Sequence, residues 1–213
     1  MLDPIPPKPL PLSTNIAVLI LAAGGSKRMG APKQLLPWGD STLLGHTVNI
    51  ALQLPCNQVV VVLGAHAEEI KETILTDAVL VFEHERWEEG MGTSIAWGIS
   101  RLIKSVPEID GILILLADQP LVTPTYLNTI MASFSPGKQQ IIATSYDGQK
   151  QGVPALFDAA YLDELLTLKG DKGAREILQK YKSKLELHSA AGQLSDIDTL
   201  DDYRALYAAN HQW

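Results

Sequence analysis

Apolar residues run almost without interruption at Ile16 to Leu21, at Gln58 to Leu63 and at Gly111 to Ala117, with a shorter run at Val79 to Phe82. Runs of this length bounded by glycine or polar residues read as strands buried on both faces, the environment of a parallel sheet. Gly111 to Ala117 is the most apolar and is expected at the centre. Between the runs the spacing changes to that of a helix. Leu44, Val48, Ala51 and Leu52 recur behind Ser41 or Thr42 and stop before Pro55. His66 to Leu75 forms a second helix, and Ile95, Ile99, Leu102 and Ile103 mark one face of a third that opens at Gly90-Met91-Gly92-Thr93-Ser94. Strands alternating with helices predict an α/β protein, a three-layer α/β/α sandwich on a mostly parallel, Rossmann-like sheet.

The second half has a different rhythm. Thr123 precedes Pro124 and should cap a helix there. Gln140 to Tyr146 and Val153 to Phe157 flank Asp147-Gly148, which predicts a hairpin. A helix carrying Ile177, Leu178 and Tyr181 follows, then a strand at Leu185 to His188. Thr199 should cap the last helix, with Asp201 and Asp202 in its positive first turn. Residues 1–14 are proline-rich and are expected to form an extended, mobile leader before a single domain at 15–213.

Composition narrows the setting. With 213 residues, 46% of them hydrophobic, the chain can bury one sizeable core. A net charge of -7 offers no overall attraction to nucleic acid or to an anionic membrane, so a polyanion has to be gripped locally. Cys56 is the single cysteine and has no ligand-like neighbours, and no run of 18 apolar residues occurs. These features predict a cytoplasmic protein with no nucleic-acid or membrane partner. His46, His66, His84, His188 and His211 are scattered without metal-ligand spacing and read as surface or satisfied core residues.

Candidate chemistry gathers at strand ends. After the first strand come Ala22, Ala23, Gly24 and Gly25, then Lys27, Arg28 and Lys33: little side chain beside much positive charge, which suits phosphates. No G-x-G-x-x-G spacing is present. Gly25 to Gly30 has the glycine spacing of a Walker loop, but Ala31, Pro32 and Lys33 follow and supply no hydroxyl for magnesium. Asp118 ends the Gly111 to Ala117 strand, where ligands bind in open α/β sheets, and a hard oxygen there can hold magnesium against phosphates. No G-x-S-x-G element is present, so catalysis falls to positioning and electrostatics.

The stretch LAAGGSKRMGAPK matches LA(A/G)G-x-S-x-R-(M/F)-G-x-x-K and resembles the loop of the molybdenum cofactor cytidylyl- and guanylyltransferase-like nucleotidyltransferases. Three later elements resemble the same family in the same order: Trp87 with Gly90-Met91-Gly92 and Ser94-Ile95, then Leu116-Ala117-Asp118-Gln119-Pro120, then Asp196-Ile197-Asp198-Thr199. Gly170-Asp171-Lys172-Gly173-Ala174-Arg175 matches its G-D-x-G-A-R element, which in the family lies near the acceptor. The resemblance implies a nucleotide-diphospho-sugar transferase-like fold with a nucleotide half at about 15–120 and an acceptor half at about 121–213. It implies nucleotide contacts from Leu21, Ala22, Ala23, Gly24, Gly25, Arg28, Lys33, Gly92 and Ser94, a Mg2+ ion on Asp118 and Asp198, with Asp198 preferred to Asp196, and catalytic roles for Arg28, Lys33 and Asp118. The implied partners are a nucleoside triphosphate and a small phosphorylated acceptor such as the molybdopterin cofactor, with a molybdoenzyme as candidate acceptor protein.

Two positions depart from the family. Its asparagine shortly before the tryptophan is replaced in the stretch Glu83-His84-Glu85, and its G-x-x-G-H-P element becomes Gly148 to Pro154 with one extra residue and Val153 in the histidine's place. Ala23, where guanylyl-transferring relatives carry glycine, favours CTP as the donor of CMP. The alternatives are a sugar- or methylerythritol-phosphate nucleotidyltransferase, a non-catalytic nucleotide-binding maturation factor for molybdenum hydroxylases, and an oxidoreductase.

Overall fold

The computed structural model describes residues 14–26, 29–74, 76–106, 108–146, 150–190 and 194–211. The proline-rich leader, Arg28 and the Asp147-Gly148 turn therefore lie outside the described residues.

β1 (Ile16–Ala22) is buried along its whole length, as its uninterrupted apolar run requires. It pairs in parallel with β4 (Gln58–Leu63) on one side and β6 (Gly111–Leu116) on the other, and β5 (Val79–Glu83) continues the parallel sheet beyond β4. Beyond β6 the direction reverses: β8 (Lys150–Asp158) is antiparallel both to β6 and to its hairpin partner β7 (Ile141–Tyr146), and β9 (Leu185–Ser189) closes the edge in parallel with β7. The order β5-β4-β1-β6-β8-β7-β9 puts β6 at the centre of seven strands, as its apolarity predicts.

Alternate residues of β1 face two different cores. Ile16, Val18 and Ile20 pack with α1 (Leu43–Ala51) and α4 (Pro124–Ala132) through Leu44, Val48, Leu127 and Ile130. Ala17, Leu19 and Leu21 pack on the opposite face with α3 (Met91–Ser105), α5 (Leu162–Leu165) and α6 (Arg175–Lys180) through Ile95, Ile99, Leu165 and Ile177. The result is the three-layer α/β/α architecture on a mostly parallel sheet. Thr42, Thr123 and Thr199 cap their helices as expected, Thr199 in a reciprocal capping box with Asp202.

A third cluster brings the end of the chain back to its beginning. Short strands β2 (Pro37–Trp38) and β3 (Ser41–Thr42) form a hairpin beside α7 (Leu200–Asn210), and Trp38, Leu43 and Met29 pack with Ile197 and Tyr207. Ile197 is fully buried, so the residues on either side of it are directed elsewhere.

Three elements differ from their expected form. The helix predicted from His66 to Leu75 is shorter, α2 (Ala67–Lys71): His66 adopts a left-handed φ of 57° and bridges to Gly64 before it begins, and beyond its end the Thr73 and Ile74 N–H groups donate to the Ile70 and Lys71 carbonyls three residues back, a tighter turn in place of helix. Ile103 points outward from α3, 38% exposed, because it lies a residue past the stripe formed by Ile95, Ile99 and Leu102. The strand predicted from Val153 to Phe157 extends back to Lys150, since β7 offers it a partner as far as Tyr146.

Candidate active site

A cleft of about 510 Å³ opens at the carboxyl ends of β1 and β6. Leu21, Ala22, Ala23, Gly24 and Gly25 form its floor, Trp87, Met91 and Ser94 one wall, and Lys33, Asp118 and Asp198 the mouth. A Cβ on Gly25 would come within 2.7 Å of the Trp87 ring, so the loop can pass under that indole only as glycine.

The loop is held by its own polar groups. Gln34, 2% exposed, donates its amide to the carbonyls of Ala22 and Gly24 at 2.8 and 2.9 Å. Ser26, at φ 47°, accepts the Lys33 backbone N–H at 3.0 Å. These bonds fold the loop back over the strand end and carry Lys33 to the mouth of the cleft.

There the Lys33 ammonium donates to Asp118 Oδ2 at 2.6 Å and to the Ile197 carbonyl at 2.9 Å, and lies 3.8 Å from Asp198 Oδ1. The backbone N–H of Ile197 in turn donates to the Asp118 carbonyl at 3.0 Å. Buried Ile197 is thus a pin: its side chain anchors the segment in the third cluster, its backbone ties it to Asp118 and Lys33, and its neighbour Asp198 lies beside the cation.

Asp196 takes a separate partner. Its Oδ1 accepts from Gln119 Nε2 at 2.8 Å, and the same amide donates to the Tyr146 hydroxyl at 2.9 Å, which donates to the Val153 carbonyl. Burial of its inner edge is the first cause that raises the Asp196 pKa above the usual carboxylate value; the Gln119 bond and Lys33 lower it, while Asp118 and Asp198 raise it further. Burial likewise pushes the Tyr146 phenol up to about 12, against the Gln119 bond and with help from Asp196.

The donor set fits a divalent cation. Asp118 Oδ1 is buried without a hydrogen-bond partner, an acceptor of the kind that a hard cation satisfies. Among the described residues no group of three or more histidine, cysteine or carboxylate side chains could hold a metal by itself. One or two carboxylates completed by phosphate oxygens and water is how magnesium is usually bound.

Of the expected site residues, Leu21 to Gly25, Lys33, Ser94, Asp118 and Asp198 come together in this one cleft. Arg28 lies outside the described residues. Gly92 is not on the cleft wall: it abuts Lys169 and Gly170, where a Cβ would come within 2.9 Å of the Lys169 carbonyl. Gly90, at φ 104°, meets the same segment, with room for no side chain 2.4 Å from Gly170. The Gly170–Lys172 turn therefore docks on the first turn of α3 and brings Asp171 to the cleft. Gln34, Gln119 and the positioning role of Ile197 were not predicted. Gln34 could have been suspected, since an amide inside an apolar KQLL stretch needs partners if it is buried.

Comparison with known proteins agrees with the geometry. Residues 18–185 match the MobA-like NTP transferase domain. The chain is 31% identical to a nicotine blue oxidoreductase of Paenarthrobacter nicotinovorans over 92% of its own length and 98% of the relative's. It is also 31% identical to the purine catabolism protein PucB of Bacillus subtilis (strain 168), over 87% of this chain and 92% of that one. Among solved structures, Rv0371c from Mycobacterium tuberculosis H37Rv superposes with a TM-score of 0.79 at 32% identity, covering 92% of this chain and 98% of that one. The mycobacterial protein has also been solved in complex with manganese, at 31% identity and a TM-score of 0.74 over 92% of this chain and 100% of that one. With a match covering most of its length and relatives aligned nearly end to end, the chain belongs to the MobA-like NTP transferase family.

Proposed function

We propose that this protein transfers a nucleoside monophosphate, CMP from CTP, to a small phosphorylated acceptor of the molybdopterin type and releases pyrophosphate. The observation that carries the reading is Lys33 held between Asp118 and Asp198 at the mouth of a cleft at the tips of β1 and β6. Lys33 is proposed to grip the triphosphate as pyrophosphate leaves, with Arg28 assigned the same task from the sequence. Asp118 and Asp198 would hold a divalent ion, magnesium in this proposal, which would neutralise charge on the phosphates; the mycobacterial relative has been solved in complex with manganese. The loop from Ala22 to Gly24 would seat the base, Ser94 would contact the nucleotide from the first turn of α3, and the acceptor would enter beside Gln119, Tyr146 and Val153. The acceptor phosphate then attacks the α-phosphorus in line, its oxygen forming the new P–O bond as the bond to pyrophosphate breaks.

The test is pyrophosphate release from CTP in the presence of magnesium and the molybdopterin cofactor. Pyrophosphate with a cytidylylated product supports the proposal; orthophosphate alone makes the protein a hydrolase. Tight nucleotide binding without turnover over a panel of acceptors, sugar phosphates and methylerythritol phosphate included, makes it a non-catalytic maturation factor. A second reading, an oxidoreductase, is favoured by the name of the Paenarthrobacter relative. Against it stands the absence of a G-x-G-x-x-G spacing beside a cleft with a lysine and two carboxylates at its mouth. Calorimetric titration with nicotinamide cofactors separates the two, since the transferase reading expects no binding.

A further inference from the structure

His84 stands one residue beyond β5 and is 4% exposed. It is not on the wall of the nucleotide cleft, yet its Nδ1 lies 3.2 Å from Ser94 Oγ, and Ser94 is on that wall. The imidazole is held in place by stacking on Trp97, at 5.4 Å and 23°, and Arg101 covers the Trp97 ring at 4.5 Å. A buried, stacked ring aimed at a hydroxyl that faces a ligand cleft is placed to control that hydroxyl.

A serine hydroxyl has one proton and two lone pairs. When Nδ1 is unprotonated, Ser94 can commit its proton to His84 and face the cleft as an acceptor. When Nδ1 carries a proton, His84 donates to Ser94 Oγ, and the serine's own proton turns to the Gly90 carbonyl, 3.4 Å away, or to an acceptor in the cleft. We infer that His84 is a positioning residue that sets, through Ser94, whether the cleft offers the nucleotide base a hydrogen-bond acceptor or a donor. The inference rests on the nucleotidyltransferase reading and names the feature of the base that is read, its exocyclic amine or carbonyl.

The surroundings make the device responsive to pH. Burial is the first cause that lowers the His84 pKa; Glu89 raises it and Arg86 lowers it. Glu83, Glu85, Arg101 and Lys169 line the cavity on the other side of the imidazole. Of these side chains the imidazole is the one whose ordinary titration lies within about pH 5 to 8, and burial moves that of His84 toward the acid side. His84 neutral with its proton on Nε2 suits the N4 amine of cytosine, and the imidazolium suits the O4 carbonyl of uracil.

CTP and UTP share ring size and triphosphate, so the ratio of their affinities cancels titration of the phosphates and of the carboxylates at the mouth. Calorimetry with magnesium on the full chain should find the CTP preference falling by about three- to tenfold as pH is lowered from about 7.5 through the depressed His84 value, the scale of one hydrogen bond. In His84→Asn, which keeps a polar side chain that does not titrate, the ratio should be flat. In Ser94→Ala the ratio should also be flat, and adding His84→Asn to it should change nothing further. A ratio independent of pH in the unaltered chain, or a pH dependence that survives in Ser94→Ala, overturns the inference. Those two measurements decide it even where His84→Asn fails to fold. If neither nucleotide binds, the nucleotidyltransferase reading falls and this inference with it; nucleotides that bind with a flat ratio sink this inference alone.

Discussion

The ammonium of Lys33 lies 2.6 Å from Asp118 although 85 residues separate them, one at the end of the glycine loop and the other at the end of β6. Each side chain is less than one-fifth exposed. The pair joins two neighbouring parallel strands at their tips, and the Ile197 carbonyl completes it from the far end of the chain. In the nucleotidyltransferase reading this cation holds the pocket together until a metal and phosphates enter, and the two partners then serve different ligands.

Asp118→Ala should therefore abolish turnover without unfolding the protein. Its backbone carbonyl still accepts from Ile197, and Lys33 retains the Ile197 carbonyl and nearby Asp198. Loss of a group that stabilises transition-state charge costs on the order of 100-fold or more in kcat. Pyrophosphate release and a thermal melt measure the two effects. Near-normal turnover, or collapse of the melt, counts against a metal role.

Lys33→Ala should weaken nucleotide binding as well as slow the reaction, since an ammonium on the phosphates acts in ground and transition states alike. It should also strip Asp118 and Asp198 of their counter-charge, so magnesium alone should bind the variant more tightly than the parent. Unchanged affinities for both CTP and magnesium would remove Lys33 from the site.

The parts of this architecture that were legible in the sequence are those in which one residue type has one environment. β1, β4 and β6 are uninterrupted apolar runs and could only be buried strands. Asp118 and the glycine loop were legible because polar chemistry directly follows such a run. The insertion of β8 between β6 and β7, antiparallel to both, was not legible, because a hairpin's own residues do not specify which sheet edge it joins. The length of α2 was misread because residue type announces neither the left-handed backbone at His66 nor the tighter turn that follows Lys71. The resemblance preferred Asp198 to Asp196 for the metal, but the neighbours of each were not legible: with Ile197 buried between them, Asp196 takes the Gln119 amide and Asp198 lies 3.8 Å from the Lys33 ammonium.

Two histidines should make stability fall on mild acidification. His46 and His84 are both held below the ordinary imidazole pKa, chiefly by burial; the Pro120 carbonyl raises His46 and His211 lowers it. With depressed folded values, the unfolded chain binds more protons in the window below about pH 6.5, so stability present above that value is lost as pH falls through the folded values. Asp196, with its pKa raised, acts in the opposite sense at the acid end. Melting temperature should drop between about pH 7 and 5. The slope should shrink in His46→Asn, and an equal slope in that variant would exclude His46 as a source.

Gly90→Ala should destabilise the fold. The position combines φ 104° with a Cβ site 2.4 Å from the Gly170 backbone and 2.5 Å from Asp171 Oδ1. Such a backbone strain costs about 1–3 kcal/mol, and the clash adds to it. Urea unfolding should register the loss, and the nucleotide should bind more weakly because the Gly170–Lys172 turn can no longer seat Asp171 at the cleft. An unchanged urea midpoint would mean that the turn moves aside freely.

Base preference is the point at which the cleft can be interrogated most directly. Ala23 is 7% exposed and on the cleft floor, and its carbonyl accepts the Ala65 N–H at 3.2 Å, so the backbone there cannot draw back. In the cytidylyl reading the Ala23 methyl takes up space that a glycine would leave, and a purine needs that space more than a single-ring pyrimidine does. A steric difference of this size is worth about 1–3 kcal/mol, so CTP is expected to bind more tightly than GTP by roughly tenfold or more. Ala23→Gly should narrow the gap by admitting GTP, while leaving CTP affinity within about threefold, because the pyrimidine does not use the vacated volume. Competition titrations of CTP, GTP and ATP with magnesium on both proteins measure this. Tighter binding of GTP by the parent would sink the cytidylyl assignment, a preference for ATP would move the protein to adenylyl transfer, and an unchanged ratio in Ala23→Gly would mean that the base is selected elsewhere in the cleft.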